Sequence, residues 1–131
     1  MTTQQIQNVP VGFSLPEFIV FTTLIRLGRK PDIDFTFQGA LFGGRAEKGG
    51  LIIDFLFSDP PGLAINVQGE FFHQEQGADV IARDRLTRAA LAGEGITLIF
   101  IDAEDALSEP ERFVRAALNY RDLSFLGGVG G

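Results

Sequence analysis

The stretch that decides the fold is LIIDFLFSDPPGLAINVQGEFFH, residues 51–73. Two apolar runs, residues 51–57 and 63–67, flank Ser58-Asp59-Pro60-Pro61-Gly62. The runs are short and rich in Ile, Leu and Phe, and the residues between them break regular structure. Together they read as a β-hairpin. Asp54 is out of keeping with its neighbours Ile52, Ile53, Phe55 and Leu56. An unpaired carboxylate in an apolar strand is costly, so Asp54 needs a partner, a cation or an exit to solvent.

Pairing about Pro60 sets Asp54 opposite Asn66. Strand alternation then puts Asn66, Gln68 and Glu70 on the face of Asp54, with His73 just past the strand end. A slip of one residue would move the whole set to the other face. Oxygen donors gathered in this way suit Mg²⁺ or Mn²⁺. The alternative is that Asp54 is a strand-end residue and that Asn66 and Gln68 only hydrogen-bond across the pair. Both readings stay open at this point.

A chain of 131 residues with 45% hydrophobic content forms one domain with a substantial core, and 13 Phe with no Trp imply a phenylalanine-filled interior. Cysteine is absent, which excludes disulfides and thiolate metal sites and fits a reducing cytoplasm. The opening MTTQQIQNVP has no signal-peptide character, and no apolar run approaches membrane-spanning length. The net charge of −6 opposes general affinity for nucleic acid. Any such role must rest on a local basic patch, on metal-bridged phosphates or on a partner.

Residues 1–13 lack periodicity and read as an N-terminal arm. Ser14-Leu15-Pro16-Glu17 then reads as a helix start, with Ser14 as cap and Glu17 three residues on. Phe18, Phe21, Leu24, Ile25 and Leu27 supply an apolar face, and Gly28 stops the helix. Glu17 is either a capping residue or a carboxylate that reaches an active site. Residues 34–38, DFTFQ, alternate as a strand. Residues 39–50 form a glycine-rich connection carrying Arg45 and Lys48, which either joins a hairpin or lets a phosphate backbone approach.

A helix over residues 78–92 can face the sheet with Val80, Ile81, Leu86, Ala89 and Ala90. Asp79, Arg83, Asp84, Arg85 and Arg88 fall mostly on its other side, as a solvated acid–base face or as nucleic-acid contacts. Residues 96–101, ITLIFI, read as a buried central strand, which residues 102–105 close. A last helix over residues 110–120 presents Phe113, Val114, Ala117 and Leu118. The glycine-rich end, residues 122–131, reads as a tail.

The order α-β-β-β-α-β-α, with Asp54, Val67-Gln68-Gly69-Glu70-Phe71-Phe72-His73, Asp79, Arg83, Asp84, Arg88 and Gly95-Ile96-Thr97-Leu98-Ile99-Phe100, resembles the PD-(D/E)XK restriction-endonuclease-like superfamily. Within it, the pattern is most similar to the very-short-patch mismatch repair endonucleases and covers about residues 15–118. The resemblance implies a single domain over residues 14–121, with a three-layer α/β core and a mixed central sheet flanked by helices. It implies that Asp54 binds metal and that His73 stands beside the scissile phosphate. This chain departs from the superfamily on the third strand, where Asn66 and Gln68 replace an acid and a lysine. Gln68 also stands where the mismatch-repair branch has a histidine. Glu70 and Glu17 are positioned to restore carboxylates, and no cysteines exist for that branch's zinc site.

The function so implied is metal-dependent hydrolysis of DNA phosphodiester bonds. Asp54 and Glu70 would hold Mg²⁺ or Mn²⁺, aided by Gln68, with His73 and Glu17 completing the catalytic set. Arg45, Lys48, Arg83, Arg85 and Arg88 are the DNA-contact candidates. His73 has a second reading, as a strand-end residue packed on Phe71 and Phe72. The alternative function is a nuclease-fold protein without chemistry, serving as an assembly component such as a phage head-completion or packaging factor. Its partner would be another protein or a second copy of the chain, and its location the cytoplasm or, if the source is a phage, the virion.

Overall fold

A computed structural model of the chain describes residues 9–37, 47–48, 51–69 and 78–124, in backbone alone at 47–48, 51–52, 78–84 and 87. The first helix, α1 (Leu15–Arg26), begins as its sequence dictates. The Ser14 N–H donates to Glu17 Oε1 at 2.8 Å, and the Glu17 N–H donates to Ser14 Oγ at 3.3 Å. This reciprocal box satisfies backbone donors that the first helical turn leaves open. Glu17, Val20 and Leu24 share one stripe of α1, and all three are buried.

The strands that follow are β1 (Phe35–Phe37), β2 (Glu47–Lys48), β3 (Leu51–Ile52), β4 (Phe55–Phe57) and β5 (Leu63–Gln68). Helix α2 (Ala78–Gly93) leads to β6 (Thr97–Asp102), then α3 (Ala103–Ser108) and α4 (Pro110–Leu118). Strands β2 and β3 pair as a separate two-stranded ribbon, and the main sheet runs β1-β4-β5-β6. The β1–β4 and β4–β5 pairs are antiparallel, whereas β5 and β6 are parallel.

Phe55 lies opposite Ile65 and Leu56 opposite Ala64, which is the pairing about Pro60 that the turn residues imply. The expected unbroken run over residues 51–57, however, is divided. Ile53 packs with Ala64, Leu91, Leu98 and Phe100 on one side of the sheet, while Phe55 and Phe57 pack on the other. In a regular strand Ile53 and Phe55 would share a face. The chain bends at Asp54, so the face count slips by one there.

The sheet is covered on both faces, giving the three layers expected. On one side α1, α3 and α4 contribute Val20, Leu24, Ala106, Phe113, Val114 and Ala117 to a core with Phe35, Phe55 and Ile65. On the other, α2 contributes Leu91. Phenylalanines fill the larger core as expected, each worth roughly 1.5–3 kcal/mol when removed from water. Phe13 extends this core from the segment read as an arm, stacking on Phe37 with ring centres 4.2 Å apart.

Two helical expectations are corrected. Leu86 is 73% exposed and Ala89 and Ala90 are also exposed, so among the described side chains of α2 it is Leu91 that packs on the sheet, while those of Val80 and Ile81 lie outside the described residues. Arg88, three residues earlier on the same stripe, turns inward with it. Residues 103–108 form α3, where only a closing turn was expected. One glycine is required by contact as well as by conformation. Gly62 has φ +69°, and a Cβ there would stand 2.4 Å from the Gly95 carbonyl oxygen. The Gly62 carbonyl also accepts the Thr97 N–H at 2.7 Å, which seats β6 beside β5.

Candidate functional site

The bend at Asp54 opens the β4–β5 ladder, and two side chains close it. The Asp54 N–H donates to Asn66 Oδ1 at 2.8 Å. The Val67 N–H donates to Asp54 Oδ2 at 2.9 Å. The carboxylate therefore stands where a backbone carbonyl of the neighbouring strand would otherwise accept. Asp54 and Asn66 do meet, but through the break in the ladder rather than as neighbours on one pleated face.

Asp54 is 8% exposed. Burial is the main force on its carboxyl, the Val67 N–H opposes it, and the charge of Glu17 adds to it, so the pKa is pushed from 3.8 up to about 7. Glu17 reaches Asp54 because it lies on the core-facing stripe of α1, one turn before Val20. The capping reading of Glu17 holds, since Oε1 takes the Ser14 N–H, and the charge of the same carboxylate also acts on Asp54. Neither acid forms an ion pair among the described residues.

These residues suit a hard divalent cation. Two buried carboxylates act on each other through their charge, with Asn66 bonded to the Asp54 N–H and no compensating positive charge from the described part of the chain. All donors are oxygens or amides, the set that Mg²⁺ and Mn²⁺ prefer. Among the described residues, no group of three or more His, Cys, Asp or Glu side chains is placed to hold a metal. Glu70 and His73, the further expected members, lie outside the described residues.

Gln68 is half-buried at the carboxyl end of β5, and its register partner on β6 is Asp102. Asp102 is 6% exposed and heads α3 without a side-chain capping bond. In sequence it reads as one of the residues, 102–105, that close the strand, in a run of acids. One signal was available, because ligands of open α/β sheets gather at the carboxyl ends of parallel strands. Asp102 lies across β5 from Asp54.

Of the basic candidates, two have described side chains. Arg45 lies outside the described residues, as do the side chains of Lys48 and Arg83. Arg85 is exposed on α2. Arg88 is half-buried: its Nη2 donates to Asp122 Oδ2 at 3.2 Å, and its guanidinium carbon lies 4.7 Å from the centre of the Phe100 ring. Asp122 Oδ2 also accepts the Phe100 N–H at 2.9 Å, so residues at the start of the presumed tail are fastened to β6.

No family model matches the chain, and no curated protein matches it. Among solved structures, the catalytic domain of the homing endonuclease I-Bth0305I superposes with a TM-score of 0.56 at 18% identity, covering 82% of this chain and 94% of that one. At that identity the likeness concerns the path of the backbone. The chain has a mixed α/β, endonuclease-like fold.

Proposed function

We propose that this chain is a divalent-metal-dependent DNA endonuclease of the PD-(D/E)XK kind, related to the very-short-patch branch. The observation that carries the reading is the buried Asp54–Glu17 pair, to which no described residue supplies a compensating cation, in a fold shared with an endonuclease catalytic domain. Asp54 holds the ion, with Glu70 as second carboxylate and Glu17 and Gln68 as further oxygen donors. When bound, Mg²⁺ or Mn²⁺ supplies the positive charge that acidifies water and offsets charge developing on phosphorus.

The residues divide the remaining work. Water attacks phosphorus as the bond to the leaving sugar oxygen breaks. His73 orients that water or returns a proton to the leaving oxygen. Asn66 fixes Asp54 by accepting its N–H, so the carboxylate is set before substrate arrives. Arg85, with Arg45, Lys48, Arg83 and Arg88, is offered to the DNA backbone; Arg88 would first have to leave Asp122.

A second reading is favoured by one observation, the lack of a three-member acid or histidine group among the described residues. On that reading the fold serves assembly, and its partner is a protein. Incubation with supercoiled, branched and single-stranded DNA in Mg²⁺ or Mn²⁺ separates the two. Cleavage that is lost in Asp54→Ala and in Glu70→Gln is the expected result. Absence of cleavage on every substrate, with no metal binding by calorimetry, favours assembly. Among the described residues no helix is long and apolar enough to cross a membrane.

A further inference from the structure

The Asp54 site uses the end of the sheet where α1 begins and β5 ends. The other end, where α1 and α4 finish, carries a different chemistry. The Tyr120 hydroxyl donates to the Pro61 carbonyl at 2.6 Å, which fixes the end of α4 beside the β4–β5 turn and away from Asn66. Two clefts adjoin there. One, of about 430 Å³, is lined by Arg112, Arg115, Ala116, Asn119, Arg121 and Leu123. The other, of about 230 Å³, is lined by Leu27, Arg29, Arg115, Leu118 and Asn119. Arg115 and Asn119 belong to both, so the clefts form one groove.

Four arginines line this groove and no carboxylate does, in a chain with only 11 Lys and Arg and a net charge of −6. Their present partners hold them weakly. Arg115 pairs with Glu111 at 2.7 Å and Arg112 with Glu109 at 3.5 Å, with all four side chains more than half exposed. Exposed pairs of this kind contribute roughly 0–1 kcal/mol and exchange readily for a better anion. Arg29 is 4.0 Å from Asp59, and its buried Nε has no hydrogen-bond partner among the described residues. Arg121 forms no ion pair among the described residues.

A helix C-terminus normally repels anions. Here that repulsion is reduced, because the exposed carbonyls are occupied. The Ala116 carbonyl accepts from the Asn119 and Arg121 N–H groups, Ala117 from Tyr120, and Arg115 from Asn119 Nδ2. What remains facing the groove is guanidinium, whose planar fork matches phosphate oxygens in bidentate fashion.

We infer that this groove binds a nucleic-acid phosphate backbone, at the pole opposite Asp54. The inference rests on DNA being the partner but not on cleavage. Such a protein would grip DNA at a point remote from the bond it cuts, which offsets the unfavourable net charge.

The test is fluorescence anisotropy of labelled duplex and single-stranded DNA with the full chain in EDTA, over a range of salt. The wild type should bind, with affinity falling linearly in log salt. The double variant Arg115→Gln/Arg121→Gln should bind at least tenfold more weakly, with a slope smaller by about 2, since each neutralised phosphate contributes roughly 0.9. The Arg115→Lys/Arg121→Lys variant should keep most of the slope. Unchanged Tm in both variants shows that the fold persists. The assay reads binding without metal, so a groove that fails this test leaves cleavage at Asp54 untouched, and a loss of cleavage leaves the groove untouched. The inference is overturned if the wild type binds no DNA, or if the Gln variant matches it in affinity and slope. Groove-dependent capture of an acidic peptide without DNA binding also overturns it.

Discussion

Replacing Asp54 by Asn should stabilise the protein at pH 8 and do progressively less as the pH falls. The folded-state pKa of Asp54 is raised from 3.8 to about 7, so between those values the native protein holds a proton that the unfolded chain has released. Stability must therefore fall as pH rises through that interval and level off above it. At roughly 1.4 kcal/mol per pH unit, the full loss is about 4 kcal/mol. Asn stays neutral throughout, and its Oδ1 can still accept the Val67 N–H. Urea unfolding in EDTA, from pH 4 to pH 8, measures the effect as the difference in midpoint at constant m. The Asn variant should gain on the wild type by several kcal/mol across the range. A difference that is independent of pH, or that grows in favour of Asp54, would refute the argument that this carboxylate is held against its own charge.

Further outcomes follow from other residues. Glu17→Gln should lower the Asp54 titration midpoint, read by carboxyl NMR, because it removes a neighbouring negative charge while keeping an oxygen for Ser14. Gly62→Ala should cost more than about 2 kcal/mol in urea unfolding, since it meets both the positive φ and the Gly95 carbonyl. Asp122→Ala should speed hydrogen exchange of the Phe100 amide and cost roughly 1.5–3 kcal/mol, the usual worth of a hydrogen bond to a charged group.

Much of this architecture was legible because local signals agreed. Pro60, Pro61 and Gly62 left one symmetrical way to pair the flanking runs, which fixed the register of β4 on β5. Ser14, Pro16 and Glu17 fixed where α1 starts, and an unbroken apolar run announced β6. The break at Asp54 was harder to see, because the residues on either side of Asp54 in LIIDFLF are apolar on both faces and do not show that the face count slips there. The rotation of α2 was equally hidden. Its arginines and alanines define no clear stripe, and the contact that turns Arg88 inward comes from Asp122, 34 residues away. Asp102 went unnoticed because Glu104 and Asp105 made it look like part of a solvated acidic turn. Its place beside Gln68 follows from β5 and β6 being parallel neighbours, which only the assembled sheet reveals.

The central claim is that Asp54 holds a divalent cation, and calorimetric titration with Mn²⁺ at pH 6.5 tests it most directly. Binding should displace about one proton, seen as a heat that changes with buffer ionisation enthalpy, because a metal ligand must be deprotonated and Asp54 is largely protonated there. That heat should vanish in Asp54→Asn. Binding of equal strength in the variant, or no binding by the wild type, would contradict the account.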